Sequence, residues 1–221
     1  MSDMILAIET STKQASLALL QKQSGEVLWQ AQFESDRLHN AKIFDPVAEA
    51  LEICRGELNR IVVGLGPGNY SGIRVGISVA NGLALALDMP VIGLASIAVL
   101  AEEADFVVCG DARRSSYYLA RIQQHRLQAE PDLMDHSSWL VQMEELRQQG
   151  LEIYSTEEAL CDDPQSPIQL RTPQATALAR QVAAMDNDEW DELTQQALQP
   201  VYLRAPYITQ PKQRPGDIKT K

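Results

Sequence analysis

Cysteine is scarce in this 221-residue chain: Cys54, Cys109 and Cys161 are widely separated and form no CxxC pair. An odd number of scattered thiols excludes a disulfide framework and a structural zinc site, and it fits a reducing, cytoplasmic compartment. Basic charge is scarce as well. Only 19 Lys and Arg stand against 30 Asp and Glu, giving a formal net charge of −11 and a pI near 4.7. A chain that gripped polynucleotide directly would need a basic surface to displace counterions, so work on RNA is expected to pass through a basic partner. Paired histidines are missing: His39, His125 and His136 are isolated, with no second ligand at i+4, which leaves zinc or iron chemistry without a visible ligand set. The N-terminus MSDMILAIET has no basic start before a long apolar run, so no secretory leader is expected. From Val75 to Ala101 the only charge is Asp88, but Asp88-Met89-Pro90 divides this apolar stretch. The halves are too short to cross a bilayer, and a buried core is expected instead.

What is present reads as alternating strands and helices. Met4–Ile8 is a short apolar strand ending at Glu9, Ala15–Leu20 a returning strand and Glu26–Phe33 a third. Phe44, Val47, Ala48 and Leu51 follow i, i+3, i+4, i+7 spacing, so a helix is expected to about Cys54. Asp45-Pro46 either opens this helix as cap and first residue or kinks one begun near Asn40. Ile61–Leu65 and Val91–Leu94 are continuous apolar runs suited to strands covered on both faces. A second half begins near Ala101, with strands at Phe106–Cys109, Tyr117–Ile122 and Glu152–Ser155 and a turn at Gly110-Asp111. His136–Gln149 is read as a helix with Trp139, Leu140, Met143 and Leu146 inward. Pro173–Met185 is read as a helix capped by Thr172, and 161–167 as a polar loop.

The chain also echoes itself. A shift of 102 residues lays ILAIETSTKQASLAL over VVCGDARRSSYYLAR without a gap, placing Glu9 on Asp111, Leu17 on Leu119 and Ala18 on Ala120. Each copy is strand, acidic turn, returning strand, which points to a duplicated two-domain α/β architecture.

The block Ile61–Leu94 carries the clearest motif, a strand running into Gly64, Gly66, Pro67 and Gly68 and then a small-residue helix. No Lys-Ser/Thr pair follows Gly68, so this is no Walker A loop, and the dinucleotide spacing also fails. A generic loop–helix anion site and simple tight packing both remain open. In the helix, Gly72, Gly76, Ala80 and Ala84 recur at i+4, beside a ridge of Val75, Val79, Leu83 and Leu87. Helical glycines cost about 1 kcal/mol each, so close approach is expected in return. One row is expected to pack on its own sheet and the other to meet a second subunit. Glu9 and Asp111 are either paired cleft carboxylates or caps of the turns that follow them, with Arg113 and Arg114 near enough to neutralise one. Gly76-Ile77-Ser78-Val79-Ala80 imitates a nucleophile elbow only loosely, because it lies mid-helix with no strand before it.

AIETST, GLGPGNYSGIRVGISVANGLALAL, GDARRSSYY and the closing PVYLR at Pro200–Arg204 resemble the TsaB family. These YeaZ-like bacterial proteins of tRNA threonylcarbamoyladenosine biosynthesis are paralogues of TsaD. The resemblance implies an α/β fold of two actin/Hsp70-like subdomains, each a mixed sheet with flanking helices. Residues 1–101 and 102–205 would form the subdomains, and 206–221 a tail that is mobile or ordered by a partner. It also implies pairing with TsaD through the helices at about 40–54 and 71–87. The expected interface is therefore Phe44, Val47, Ala48, Leu51, Gly72, Val75, Gly76, Val79, Ala80 and Leu83. TsaE would join, the chain alone would form a homodimer, and the assembly would modify adenosine 37 of tRNA, reached by this chain only indirectly.

In TsaD the strand equivalent to Val91–Leu94 leads into an H-x-x-x-H metal site, whereas Ser96 and Leu100 stand at those two positions here. Neither is an imidazole ligand. The resemblance thus implies a non-catalytic subunit with no tightly bound cofactor, ATP or ADP and metal being held by the partners. Contacts of this chain to nucleotide or phosphate would fall on Glu9, Thr10, Ser11, Gly66, Gly68 and Asp111, although Glu9 stands where many members have Asp. The rival readings are a small ATPase or kinase using Glu9 and Asp111, and a glycoprotease-like peptidase.

Overall fold

The computed structural model describes residues 3–34, 40–161 and 167–204. Its first sheet is built from β1 (Met4–Glu9), β2 (Gln14–Gln21) and β3 (Val27–Glu34), joined as antiparallel neighbours. A 3-10 turn at Asn40–Ile43 leads into α1 (Phe44–Cys54). β4 (Leu58–Gly64), α2 (Tyr70–Leu87) and β5 (Val91–Leu94) follow, with β4 parallel to both β1 and β5. The sheet order is β3-β2-β1-β4-β5. Alternation of side chains sends Leu6, Ile8, Leu17, Leu19, Ile61 and Val63 to the face covered by α1 and α2. Ile5, Ala7, Ala18, Leu20 and Val62 point to the other face.

A second 3-10 turn, Ser96–Val99, crosses to the other lobe. There β6 (Phe106–Asp111) and β7 (Ser116–Gln123) form a hairpin, flanked by β8 (Arg126–Leu127) and β9 (Asp132–Asp135). α3 (His136–Gln148), β10 (Ile153–Ser155), α4 (Glu158–Cys161) and β11 (Ile168–Leu170) complete it, with β10 parallel to β6 and β11. The limits of β6 and β7 are those of β1 and β2 moved by 102 residues. The hairpin registers differ by one place, since Glu9 faces Ser16 whereas Asp111 faces Tyr117. Two mixed sheets with flanking helices make up the expected α/β architecture.

Packing crosses the boundary expected at residue 101. α5 (Ala175–Ala184) buries Ala175, Leu178, Ala179 and Val182 against the first sheet, and α6 (Asn187–Thr194) adds Trp190 to the same core. Arg60 of β4, almost wholly buried, stacks its guanidinium 4.6 Å from the Trp190 ring centroid and donates to Asn187 Oδ1 at 2.9 Å. The last two helices thus belong to the lobe that the chain left near residue 96.

Several local expectations shift. Pro46 is the third residue of α1, within the first turn, where its missing N–H costs nothing. α5 starts after Gln174 rather than Thr172, because Ser16 Oγ of β2 accepts the Ala175 N–H at 2.9 Å and caps the helix from another element. Leu140, expected inward, is exposed, while Trp139, Met143 and Leu146 carry the buried face of α3. α2 begins at Tyr70, and its 18 residues with mean hydropathy 1.2 are long and apolar enough to cross a membrane. Its row Gly72, Ile73, Gly76, Ile77 and Ala80 packs on the first sheet, while only 22% of the helix is buried. The expected tail at 206–221, His39 and most of the loop at 161–167 lie outside the described residues.

Candidate functional site

β1 ends by delivering Glu9 into the protein interior, and the turn after it lies directly on the glycine loop. Glu9 Oε1 accepts the Ser11 N–H at 2.6 Å. Ser11 O accepts the Asn69 N–H at 2.6 Å, and Thr10 Oγ1 donates to Gly72 O at 2.9 Å. A Cβ on Gly68 would strike Ser11 O, and one on Gly72 would strike Thr10 O. Gly66, at φ +84°, lies in the left-handed region that glycine tolerates. The glycines therefore admit this chain's own backbone. Gly66 N–H donates to Ser96 Oγ at 2.9 Å, and Gly72 N–H goes to the Asn69 cap. The amides of Gly66, Asn69 and Gly72 are thus used internally.

Ser96 is fully buried and closes the loop from the far side, its N–H donating to Gly66 O at 2.8 Å. Leu100 is buried in the second lobe with Ile97 and Ala98. A hydroxyl engaged by an amide and a buried isobutyl group do not fit a metal ion. Among the described residues, no three His, Cys, Asp or Glu side chains converge as a ligand set.

Each acidic strand end is held within its own lobe. Glu9 is wholly enclosed, and burial raises its carboxyl above the usual range despite tempering by Ser11 and Ser96. Those hydroxyls lie near, yet Oε2 makes no hydrogen bond among the described residues. Asp111 Oδ1 accepts the Arg113 N–H at 2.6 Å, the same two-residue turn that Glu9 makes, and Oδ2 meets Arg113 Nη1 at 3.2 Å. Asp111 N–H in turn donates to Glu157 Oε2 at 3.2 Å, and burial raises the Glu157 carboxyl. The turn-capping reading describes both residues.

The expected interface divides. Val47, Gly72, Gly76 and Ala80 are buried under α1 and α2, with a Cβ on Gly76 set to strike Thr10 Oγ1, so these four cannot meet a partner. The small-residue row is the one that needs close backbone approach, and its own sheet takes it. Phe44 (60% exposed) and Ala48 face outward, Leu51, Val75, Val79 and Leu83 are half-buried, and Leu85 is 87% exposed. The helices flank one face of one sheet, and that side is left with an apolar surface.

Sequence reasoning missed the edge of this surface. Val201 N–H donates to Leu65 O at 2.8 Å, bringing Tyr202 onto Tyr70 at the start of α2 with ring centroids 5.4 Å apart. Leu203 packs on the second core, and Arg204 donates to Arg113 O at 3.2 Å, so the PVYLR segment ties the lobes together. The signal available along the chain is PVYLR itself, which carries the family resemblance but not its contact with α2.

Comparison with known proteins agrees with this layout. The model of the family described as TsaD: tRNA N6-adenosine threonylcarbamoyltransferase matches residues 33–187, more than half of the chain. The tRNA threonylcarbamoyladenosine biosynthesis protein TsaB of Escherichia coli K12 is 34% identical over 131 residues, 54% of this chain and 55% of that one. TsaB of Haemophilus influenzae is 30% identical over 136 residues, 57% and 56% of the two chains. The matched stretches span about half the length of these curated relatives. A solved structure of YeaZ from Pseudomonas aeruginosa has TM-score 0.63 and 25% identity, covering 92% of this chain and 100% of that one. With that model matched over more than half of its length and TsaB and YeaZ among its relatives, the chain belongs to the TsaB/YeaZ branch of the family that this model describes.

Proposed function

We propose that this chain is a non-catalytic subunit of the machinery that forms N6-threonylcarbamoyladenosine at position 37 of tRNA, docking on TsaD through α1 and α2. The observation that carries the reading is the apolar outer side of these helices, where Phe44 and Leu85 stand in water. Docking that binds the active form of TsaD more tightly than the inactive form shifts its population by linkage. TsaE completes the assembly, and nucleotide and metal are held by the partner subunits, a division supported by the glycine loop's internally used amides. The net charge of −11 supports leaving direct tRNA contact to those partners. Without TsaD the same surface joins two copies of this chain.

Reconstitution of tRNA modification from purified subunits tests the role: product falls to background when this chain is omitted and returns when it is restored. Val79→Asp, half-buried on the outer ridge, loses about 2 kcal/mol or more of TsaD binding while keeping the circular dichroism of the folded chain. Equal modification with and without the chain removes the proposal.

A further inference from the structure

Beside the apolar ridge of α2 lies a cleft of about 370 Å³ lined by Tyr70, Arg74, Ile77, Ser78, Pro200 and Tyr202. Arg74 is the only charged side chain in the 18 residues of α2, and it is exposed. Its guanidinium carbon lies 5.3 Å from the Tyr70 ring centroid, and Nη1 donates to the Tyr70 hydroxyl at 2.8 Å. Ser78 is already engaged, donating to Arg74 O at 2.7 Å. Tyr202 forms the opposite wall, held by its stack on Tyr70 (interplanar angle 27°) and by the Val201–Leu65 bond. Among the described residues no carboxylate lies within ion-pair distance of Arg74.

A guanidinium carries five N–H donors in a fixed fork. Tyr70 takes one and holds the group in place, so the rest of the fork is set for a planar, two-oxygen acceptor at little entropic cost. Tyrosine and arginine are also the residues that concentrate binding energy at interfaces. Charge decides the class of acceptor. One guanidinium balances one carboxylate, whereas a phosphate group, at about −1.5 to −2, would leave excess negative charge in a cleft with no second cation among its lining residues.

We propose that the Tyr70–Arg74–Tyr202 cleft receives a carboxylate side chain, aspartate or glutamate, of the protein that docks on the α1–α2 surface. This rests on the docking reading above and deepens it: the apolar ridge supplies area, and the cleft sets register by a charge-assisted, bidentate contact. A misregistered partner would leave Arg74 unpaired against apolar surface, which is costly.

Calorimetric titration of TsaD into wild type, Arg74→Gln, Arg74→Lys and Val79→Asp, each at two salt concentrations, separates the claims. Arg74→Gln is expected to weaken binding by at least about tenfold and to flatten its salt dependence, with partial recovery in Arg74→Lys. Wild-type affinity in Arg74→Gln together with loss in Val79→Asp overturns the cleft and leaves docking intact. Wild-type affinity in both overturns docking, and the cleft with it. Nitrogen-15 spectra of the arginine side chains in the isolated chain give a second readout. Arg74 is expected to shift on adding acetate more than on adding inorganic phosphate, and the reverse preference overturns the carboxylate assignment.

Discussion

At the scale of single residues, Glu9 is the most consequential side chain in the first lobe. A carboxyl with no exposed surface, one oxygen on the Ser11 amide and the other without a hydrogen bond, is better tolerated neutral than charged. Burial raises its folded-state pKa above the ordinary glutamate value of 4.5. Below pH 4.5 the folded and unfolded states both carry the proton, and its contribution to stability is complete. As pH rises towards the folded value the unfolded chain ionises first, so that contribution declines. Glu9→Gln, which keeps the acceptor for Ser11 and gains a donor towards Ser96, is therefore expected to melt higher than wild type at pH 7. The gap should close as pH approaches 4.5 in thermal melts across that range. A variant less stable at pH 7 would show that Glu9 is charged in the folded protein.

At the scale of elements, α2 is a helix whose two sides obey different rules. Its inner row is small because Thr10 and Val63 come to the backbone, and its outer row is apolar and only half covered. Two glycine substitutions expose the difference. Gly82→Ala meets nothing within 4 Å and is expected to stabilise by about 0.5–1 kcal/mol, the ordinary helical gain. Gly72→Ala places its methyl on Thr10 O and is expected to cost about 1–3 kcal/mol despite the same gain. Urea denaturation of both variants checks the pair. Helix limits follow the same logic. Asn69 caps α2 from within its own sequence, its side chain accepting the Gly72 N–H, whereas Ser16 caps α5 from a strand 159 residues away. Only the first kind of cap is readable along the chain.

For the whole molecule, the fragment 1–101 expected as a subdomain lacks the cover for one face of its sheet. Ile5, Ala7, Ala18, Leu20 and Val62 are buried by α5 and α6, so this fragment is expected to show no cooperative thermal transition, while 1–204 does. Circular dichroism melts of the two decide it. A sharp transition in the fragment would mean that the late helices are dispensable to the first lobe. The 102-residue echo, the strand runs, the helix at α2 and the family were legible along the chain, because period-2 and period-3.6 patterns and strand–turn–strand units are local. The sequence by itself determined two duplicated α/β halves, an acidic surface and a glycine loop without a Walker lysine. Which row of α2 faces inward, what fills that loop, where α5 docks and that Tyr202 meets Tyr70 were decided by tertiary structure alone. Each depends on surfaces brought together from distant parts of the chain, and no local pattern records which of two apolar rows another element will reach first.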